Sequence, residues 1–184
     1  MKTQKTRRKL SRIVASLACA AVLALMPATA GSQHDHPAGQ SSAPAVGSPA
    51  LSFDLKSLDG KSVGLATFRG KPLVMNFFAT WCDPCREEMP LINELAARGA
   101  KDGYSVLGIA VEDSRASVTE YAKESKLVFP IALDFNSAVK RAYRIFGPPA
   151  TFFIDGQGVI RDVVLGPITP ERAREAMKKV GVAK

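Results

Sequence analysis

The sequence predicts an α/β domain built on a mixed sheet with helices against its faces. Three features carry that reading: strongly apolar runs of strand length, helical stretches placed between them, and a short hairpin at either end of the alternation. A chain of 184 residues holds one such domain with a substantial core plus an extension, and leaves little room for a second.

The extension comes first. Lys2, Lys5, Arg7, Arg8, Lys9 and Arg12 precede the apolar run Ile13 to Met26, and Ala28, Thr29 and Ala30 follow it as an A-x-A type cleavage site. An apolar run of about fourteen residues is short for a membrane span. Residues 1–30 are therefore expected to be an export signal peptide cleaved after Ala30, with retention as an N-terminal membrane anchor as the alternative. The stretch Thr6-Arg7-Arg8-Lys9-Leu10 resembles a twin-arginine signal, which leaves the export route open. Ser16, not a leucine, stands three residues before Cys19, which argues against a lipidated cysteine.

Export also explains the charge. The formal net charge is +8, but six of the 25 Lys and Arg residues lie in the first thirty, leaving 19 against 17 acids. The mature chain is nearly neutral, and no basic run interleaved with aromatics suggests a nucleic-acid groove. Residues 31–49 are rich in Ser, Ala, Pro, Gly and Gln, the composition of a flexible tether. His34 and His36 in that tether offer two imidazoles, though a solvated linker is the simpler reading. The domain is expected over residues 50–184.

Phe53, Leu55 and Leu58 precede the turn Asp59-Gly60, and Val63 and Leu65 follow it, which predicts an opening hairpin. Leu73 to Ala79 is almost continuously apolar, as a strand covered on both faces would be, and is expected at the centre of the sheet. A helix follows from Pro84 to about Arg98. Tyr104 to Val111 is a second buried strand, Ser114 to Lys126 a helix, Ile131 to Leu133 a short strand, and Ser137 to Arg144 a helix. Ala150 to Ile154 and Val159 to Leu165 flank the turn Asp155-Gly156-Gln157-Gly158, and Thr169-Pro170-Glu171 opens a last helix.

Loss of the signal removes Cys19 and leaves only Cys82 and Cys85, in the run Trp81-Cys82-Asp83-Pro84-Cys85 at a strand-to-helix junction. A thiolate attacks a disulfide and a thiol does not, so Cys82 needs its pKa lowered, and a helix N-terminus does this with unpaired N–H groups and the macrodipole. Cys82 is the expected nucleophile, and Cys85, one turn on and less exposed, resolves the mixed disulfide. Asp83 and Pro84 tune the pair: a carboxylate at Asp83 disfavours the thiolate and favours the oxidised form, the character of a reductant. A zinc half-site would need two more ligands that the domain lacks, so neither metal nor cofactor is expected.

These residues resemble thioredoxin-fold proteins of the exported TlpA, ResA and CcmG-like reductase group, from about residue 50 to 180. The resemblance rests on WCDPC, Pro90 in the helix, and the run Gly147-Pro148-Pro149-Ala150-Thr151-Phe152-Phe153-Ile154-Asp155. It implies a thioredoxin fold with an N-terminal β-hairpin and a strand–helix insertion, and it implies that Pro149 is a cis-proline packed beside the cysteines. Two positions depart from the pattern. Pro148 lacks the N–H commonly used there to pair with a client, and Asn76 stands where many thioredoxins carry a buried acid six residues before the first cysteine. The group often places an acid after the following strand instead, which here is Glu112 or Asp113, with Glu112 preferred; helix capping by Asp113 and a solvent-facing Glu112 is the alternative. Phe77 and Phe78 read as core, and Trp81 as a flat surface beside the disulfide.

The implied function is a monomeric reductase that draws electrons from a membrane thiol-disulfide donor and passes them to exported client proteins, of cytochrome c maturation or copper-site assembly type. Copper held by the two thiolates and a tether histidine is an alternative of a different class. A peroxidase is disfavoured because Thr80 lies too close to Cys82, and a disulfide-forming oxidase because the chain has no room for the large helical insertion such proteins usually carry.

Overall fold

The structure, a computed structural model, describes residues 44–182. The expected signal peptide with Cys19, and His34 and His36, lie outside the described residues. Strands β1 (Asp54–Ser57), β2 (Ser62–Gly64), β3 (Leu73–Phe78), β4 (Ser105–Val111), β5 (Ile131–Asp134), β6 (Ala150–Ile154) and β7 (Ile160–Leu165) form one sheet. Its order is β2-β1-β5-β4-β3-β6-β7. Four helices pack against it: α1 (Asp83–Asp102), α2 (Arg115–Glu124), α3 (Ala138–Ala142) and α4 (Pro170–Lys179).

The opening hairpin forms as expected, with Leu55 opposite Val63, but Leu65 belongs to a 3-10 turn over Leu65–Phe68. The strand expected at the centre is one place away from it. β4 holds the middle of the seven, and β3 lies beside it, paired parallel to β4 and antiparallel to β6. β3 is still buried over its whole length, which its unbroken apolar run requires.

β3 alternates between two cores. Val74 and Phe78 face a cluster with Met89 and Ile92 of α1, Val118 and Tyr121 of α2, and Ala173 and Met177 of α4. Leu73, Met75 and Phe77 face the other side, where Tyr143 beyond α3 packs against Phe77 and Phe152. Gly108 of β4 is required by the first core, since a Cβ there would stand 2.8 Å from the Phe129 ring and 3.0 Å from that of Phe78. α1 runs past Arg98 to Asp102 and stops where Gly103 takes a left-handed conformation, φ 83°, its N–H bonded to Gly99 O.

The end of the stretch read as a tether is paired in the structure. Gly47 N–H donates to Ile160 O, Ile160 N–H to Ser48 O, and Ala50 N–H to Gly158 O, so ordered chain begins before residue 50 along the edge of β7.

α4 is fastened to β7 by ions. Buried Asp162 accepts from Arg172 through both carboxylate oxygens, at 2.6 Å each, and from Lys179 at 2.9 Å. Burial raises the Asp162 pKa, but the bonds from Arg172, Lys179 and the Val163 N–H outweigh it and bring it down to about 2. A depressed carboxylate contributes stability above its unfolded pKa and loses it as pH falls through the folded value. Unfolding free energy is therefore expected to fall by an amount on the order of 2 kcal/mol between about pH 4 and pH 2 on this account. Denaturant titrations of Asp162→Asn should start from a lower plateau at neutral pH and lack that share of the acid loss.

Candidate active site

The sequence places a fully buried strand directly before Trp81-Cys82-Asp83-Pro84-Cys85, and the fold turns that order into geometry. β3 ends at Phe78, and α1 opens at Asp83 with Cys82 as its N-cap residue and Pro84 in its first turn. The Cys82 sulfur accepts the Cys85 N–H at 3.3 Å, so a backbone dipole of the helix start points at the reacting atom. Cys82 and Cys85 are joined in a disulfide, Cα to Cα 5.3 Å. Cys85 is sealed at 0% exposure and Cys82 shows 5%, so an attacking group reaches the pair through Cys82. Asp83 and Pro84 are both exposed beside it.

The peptide bond Pro148–Pro149 is cis, and the Pro148 carbonyl oxygen lies 3.6 Å from the Cys82 sulfur. Pro149 is thus where the sequence placed it. Its own carbonyl accepts the Gly166 N–H at 2.9 Å, so of the two prolines it is Pro148 whose carbonyl stands at the sulfur. Large apolar side chains stand open on these loops: Trp81 is 57% exposed and Phe146 fully so.

The loop after β4 holds the loop after β3. The Glu112 carbonyl accepts from Trp81 Nε1 at 3.0 Å, and Asp113 Oδ2 accepts from the Thr80 N–H at 2.7 Å. The Glu112 carboxylate is engaged elsewhere, with Lys140 Nζ at 2.7 Å, and Asp113 Oδ1 takes the Ser114 N–H. Ser114 itself caps α2, its side chain accepting from Ser117 N. Both acids therefore border the site, Glu112 through its main chain and Asp113 through its side chain.

A third acid went unnoticed in the sequence. Glu88, three residues beyond Cys85 on the buried face of α1, is 4% exposed. Its Oε1 accepts from Asn76 Nδ2 at 2.8 Å and its Oε2 from the Ile168 N–H at 2.7 Å. Asn76 Nδ2 also reaches Thr151 Oγ1 at 3.0 Å, while its Oδ1 is buried without a partner. Burial pushes the Glu88 pKa above its ordinary 4.5, and the two hydrogen bonds only partly restrain it. The legible signal was periodic: 85, 88, 89 and 92 share one helix face, and the other three are apolar or sulfur-bearing.

A buried strand, a helix-capping cysteine bonded to its CxxC partner, and the carbonyl of the residue before the cis-proline close to the sulfur make a thiol-disulfide exchange site. The AhpC/TSA family matches residues 46–163. The chain belongs to that family, within the thioredoxin superfamily. The thiol-disulfide oxidoreductase ResA of Geobacillus thermodenitrificans is 36% identical over 141 residues, 77% of this chain and 81% of its own. That of Bacillus thuringiensis subsp. konkukian is 32% identical over 135 residues, covering 73% and 78%. Among solved structures, a thioredoxin-family thiol:disulfide interchange protein from Chlorobium tepidum superposes with TM-score 0.66 at 33% identity, over 75% of this chain and 99% of its own. StoA from Bacillus subtilis gives TM-score 0.60 at 26% identity, over 71% and 98%. This protein is a thiol-disulfide oxidoreductase of the ResA type with a thioredoxin fold.

In this oxidoreductase, Glu88→Gln should remove an inflection lying above pH 4.5 from the rate of disulfide exchange and slow exchange at pH 7 by at least about tenfold. A carboxyl with a raised folded pKa contributes stability fully below pH 4.5 and loses it as pH rises through the folded value. The Gln variant is therefore expected to unfold no more easily than the parent at pH 8. Stopped-flow rates against pH, with denaturant midpoints on the same samples, check both.

Proposed function

We propose that the oxidoreductase is an exported reductase: it receives electrons from a membrane thiol-disulfide donor and passes them to disulfides of envelope client proteins, of cytochrome c maturation or copper-site assembly type. The observation that carries this reading is the Cys82 sulfur at the helix cap, accepting the Cys85 N–H, with Asp83 as the exposed acid that follows it in the first turn. A helix start favours an anion such as a thiolate, while an acid adjoining the nucleophile in the chain opposes a second negative charge, a balance that keeps the reduced pair a donor. The signal-like residues 1–30 support export. Among the described residues no helix is long and apolar enough to cross a membrane.

In the reduced protein the Cys82 thiolate attacks a client disulfide, forming a mixed disulfide and expelling one client thiolate, which takes up a proton. Cys85 then loses its proton and attacks the Cys82 sulfur; the Cys82–Cys85 disulfide forms, the second client thiolate leaves, and two electrons have moved to the client. Glu88, buried one turn beyond Cys85 and held above its usual pKa, is the acid we assign to the Cys85 proton, with Glu112 and Asp113 holding the loop that bears Trp81. Trp81 and Pro149 flank the sulfur at which the client arrives. The membrane donor returns the pair to the dithiol.

The reduction potential tests the direction of electron flow. In glutathione or dithiothreitol buffers, followed through Trp81 fluorescence, a value near or below roughly −240 mV is expected. A value above roughly −150 mV would mark an oxidase and remove the reductase reading. Cys85→Ala, which cannot resolve, should accumulate mixed disulfides with the clients.

A further inference from the structure

Lys140 is a lysine in an expensive place. Its side chain is 10% exposed, on the five-residue helix α3, where an apolar side chain would fill the space without desolvating a charge. Its main chain is fixed: Lys140 N–H donates to Asp134 Oδ2 at 2.8 Å and Val139 N–H to Asp134 Oδ1 at 3.3 Å. From that base the ammonium reaches Glu112 Oε1 at 2.7 Å. Glu112 is also oddly placed, with φ 52°, the left-handed region that a residue with a side chain disfavours and glycine accepts. The same conformation turns the Glu112 carbonyl toward Trp81 Nε1 at 3.0 Å. That bond is the hydrogen bond the structure gives an indole that is more than half exposed beside Cys82.

We propose that Lys140 is a positioning residue: its ion pair with Glu112 keeps Glu112 in the left-handed conformation, and thereby keeps the Trp81 indole at a fixed place beside the disulfide. The chain of contacts is continuous, from ammonium to carboxylate, through one residue's backbone, to carbonyl and indole. A glutamate serves at this turn because its carboxylate is used, and the buried cation is what uses it. Trp81 held still presents a preformed apolar wall to the client segment next to its cysteine, which lowers the ordering cost of docking. This last consequence rests on the client-reducing function proposed above; the immobilisation of Trp81 does not.

Trp81 is the only tryptophan, so its time-resolved fluorescence anisotropy reads the proposal directly in the whole protein. In Lys140→Met, which keeps the length and the burial, the fast component of the decay should grow. KM for a synthetic peptide with one intramolecular disulfide should rise about fivefold, the factor that about 1 kcal/mol from a half-exposed ion pair gives, with kcat and reduction potential as in the parent. Lys140→Arg should restore both values toward the parent's. Glu112→Ala, which deletes the carboxylate and keeps the carbonyl, should reproduce the loss even if Lys140→Met folds poorly. An unchanged anisotropy decay in a folded Lys140→Met overturns the proposal. So does a shifted potential with unchanged KM, which would make Lys140 a charge acting on the Cys82 thiolate. A faster Trp81 decay in a protein whose potential proves oxidising supports the positioning and removes only the reductase reading.

Discussion

The Cys82 sulfur accepts the Cys85 N–H at the first turn of α1, and the rest of the domain keeps that one contact in place. A sulfur at a helix cap is a weak acceptor as a thiol and a strong one as a thiolate, so the contact favours the charged form the reaction needs. It depends on β3 ending where it does. Because β3 is buried on both faces and bonded on both edges, its carboxyl end cannot drift, and the loop Ala79–Trp81 delivers Cys82 to the helix start. Asp113 on the Thr80 N–H and Arg86 Nη1 on the Thr80 carbonyl hold the same loop from two sides.

Placing an acid inside the core costs desolvation, and the surroundings of Glu88 show how that cost is met. Each carboxylate oxygen has one donor, from a different part of the chain: Asn76 in β3 and Ile168 ahead of α4. The second tie has a structural corollary. The segment that supplies the Ile168 N–H also supplies the Gly166 N–H to the Pro149 carbonyl, so one short connection touches both the buried acid and the proline beside the sulfur.

Strand and helix succession, the hairpins and the cysteine pair were legible because each follows from local chemistry, apolar runs and turn residues, whereas the cis-proline followed from the family resemblance, a proline pair by itself being consistent with a plain turn. The order of strands was less so. β5 inserts between β1 and β4, which moves the middle of the sheet away from β3, and nothing within the Leu73–Phe78 run reports how many strands lie on each side. Glu88 was hidden for a related reason. Its spacing puts it on the buried face with Cys85, Met89 and Ile92, but a glutamate is ordinarily a surface residue, and the groups that satisfy it, Asn76 and the Ile168 N–H, come from distant parts of the chain. The two acids after β4 were found by position, but their division of labour depends on a backbone conformation at Glu112 that its side chain does not advertise. The edge of the domain before residue 50 was missed because Gly47, Ser48 and Pro49 pair through their main chains, which composition does not record.

That pairing fixes where the chain enters the domain. Residues 47–50 bond to residues 158–160, at the turn between β6 and β7, whereas Cys82 lies where β3 ends and β6 begins. The two sites are at opposite ends of the strands. Leu51, whose carbonyl accepts from Tyr143 Oη, then carries the chain across one face to start β1. The described chain therefore enters the domain at the pole remote from Cys82, and residues 47–50 take no part in the surroundings of the sulfur.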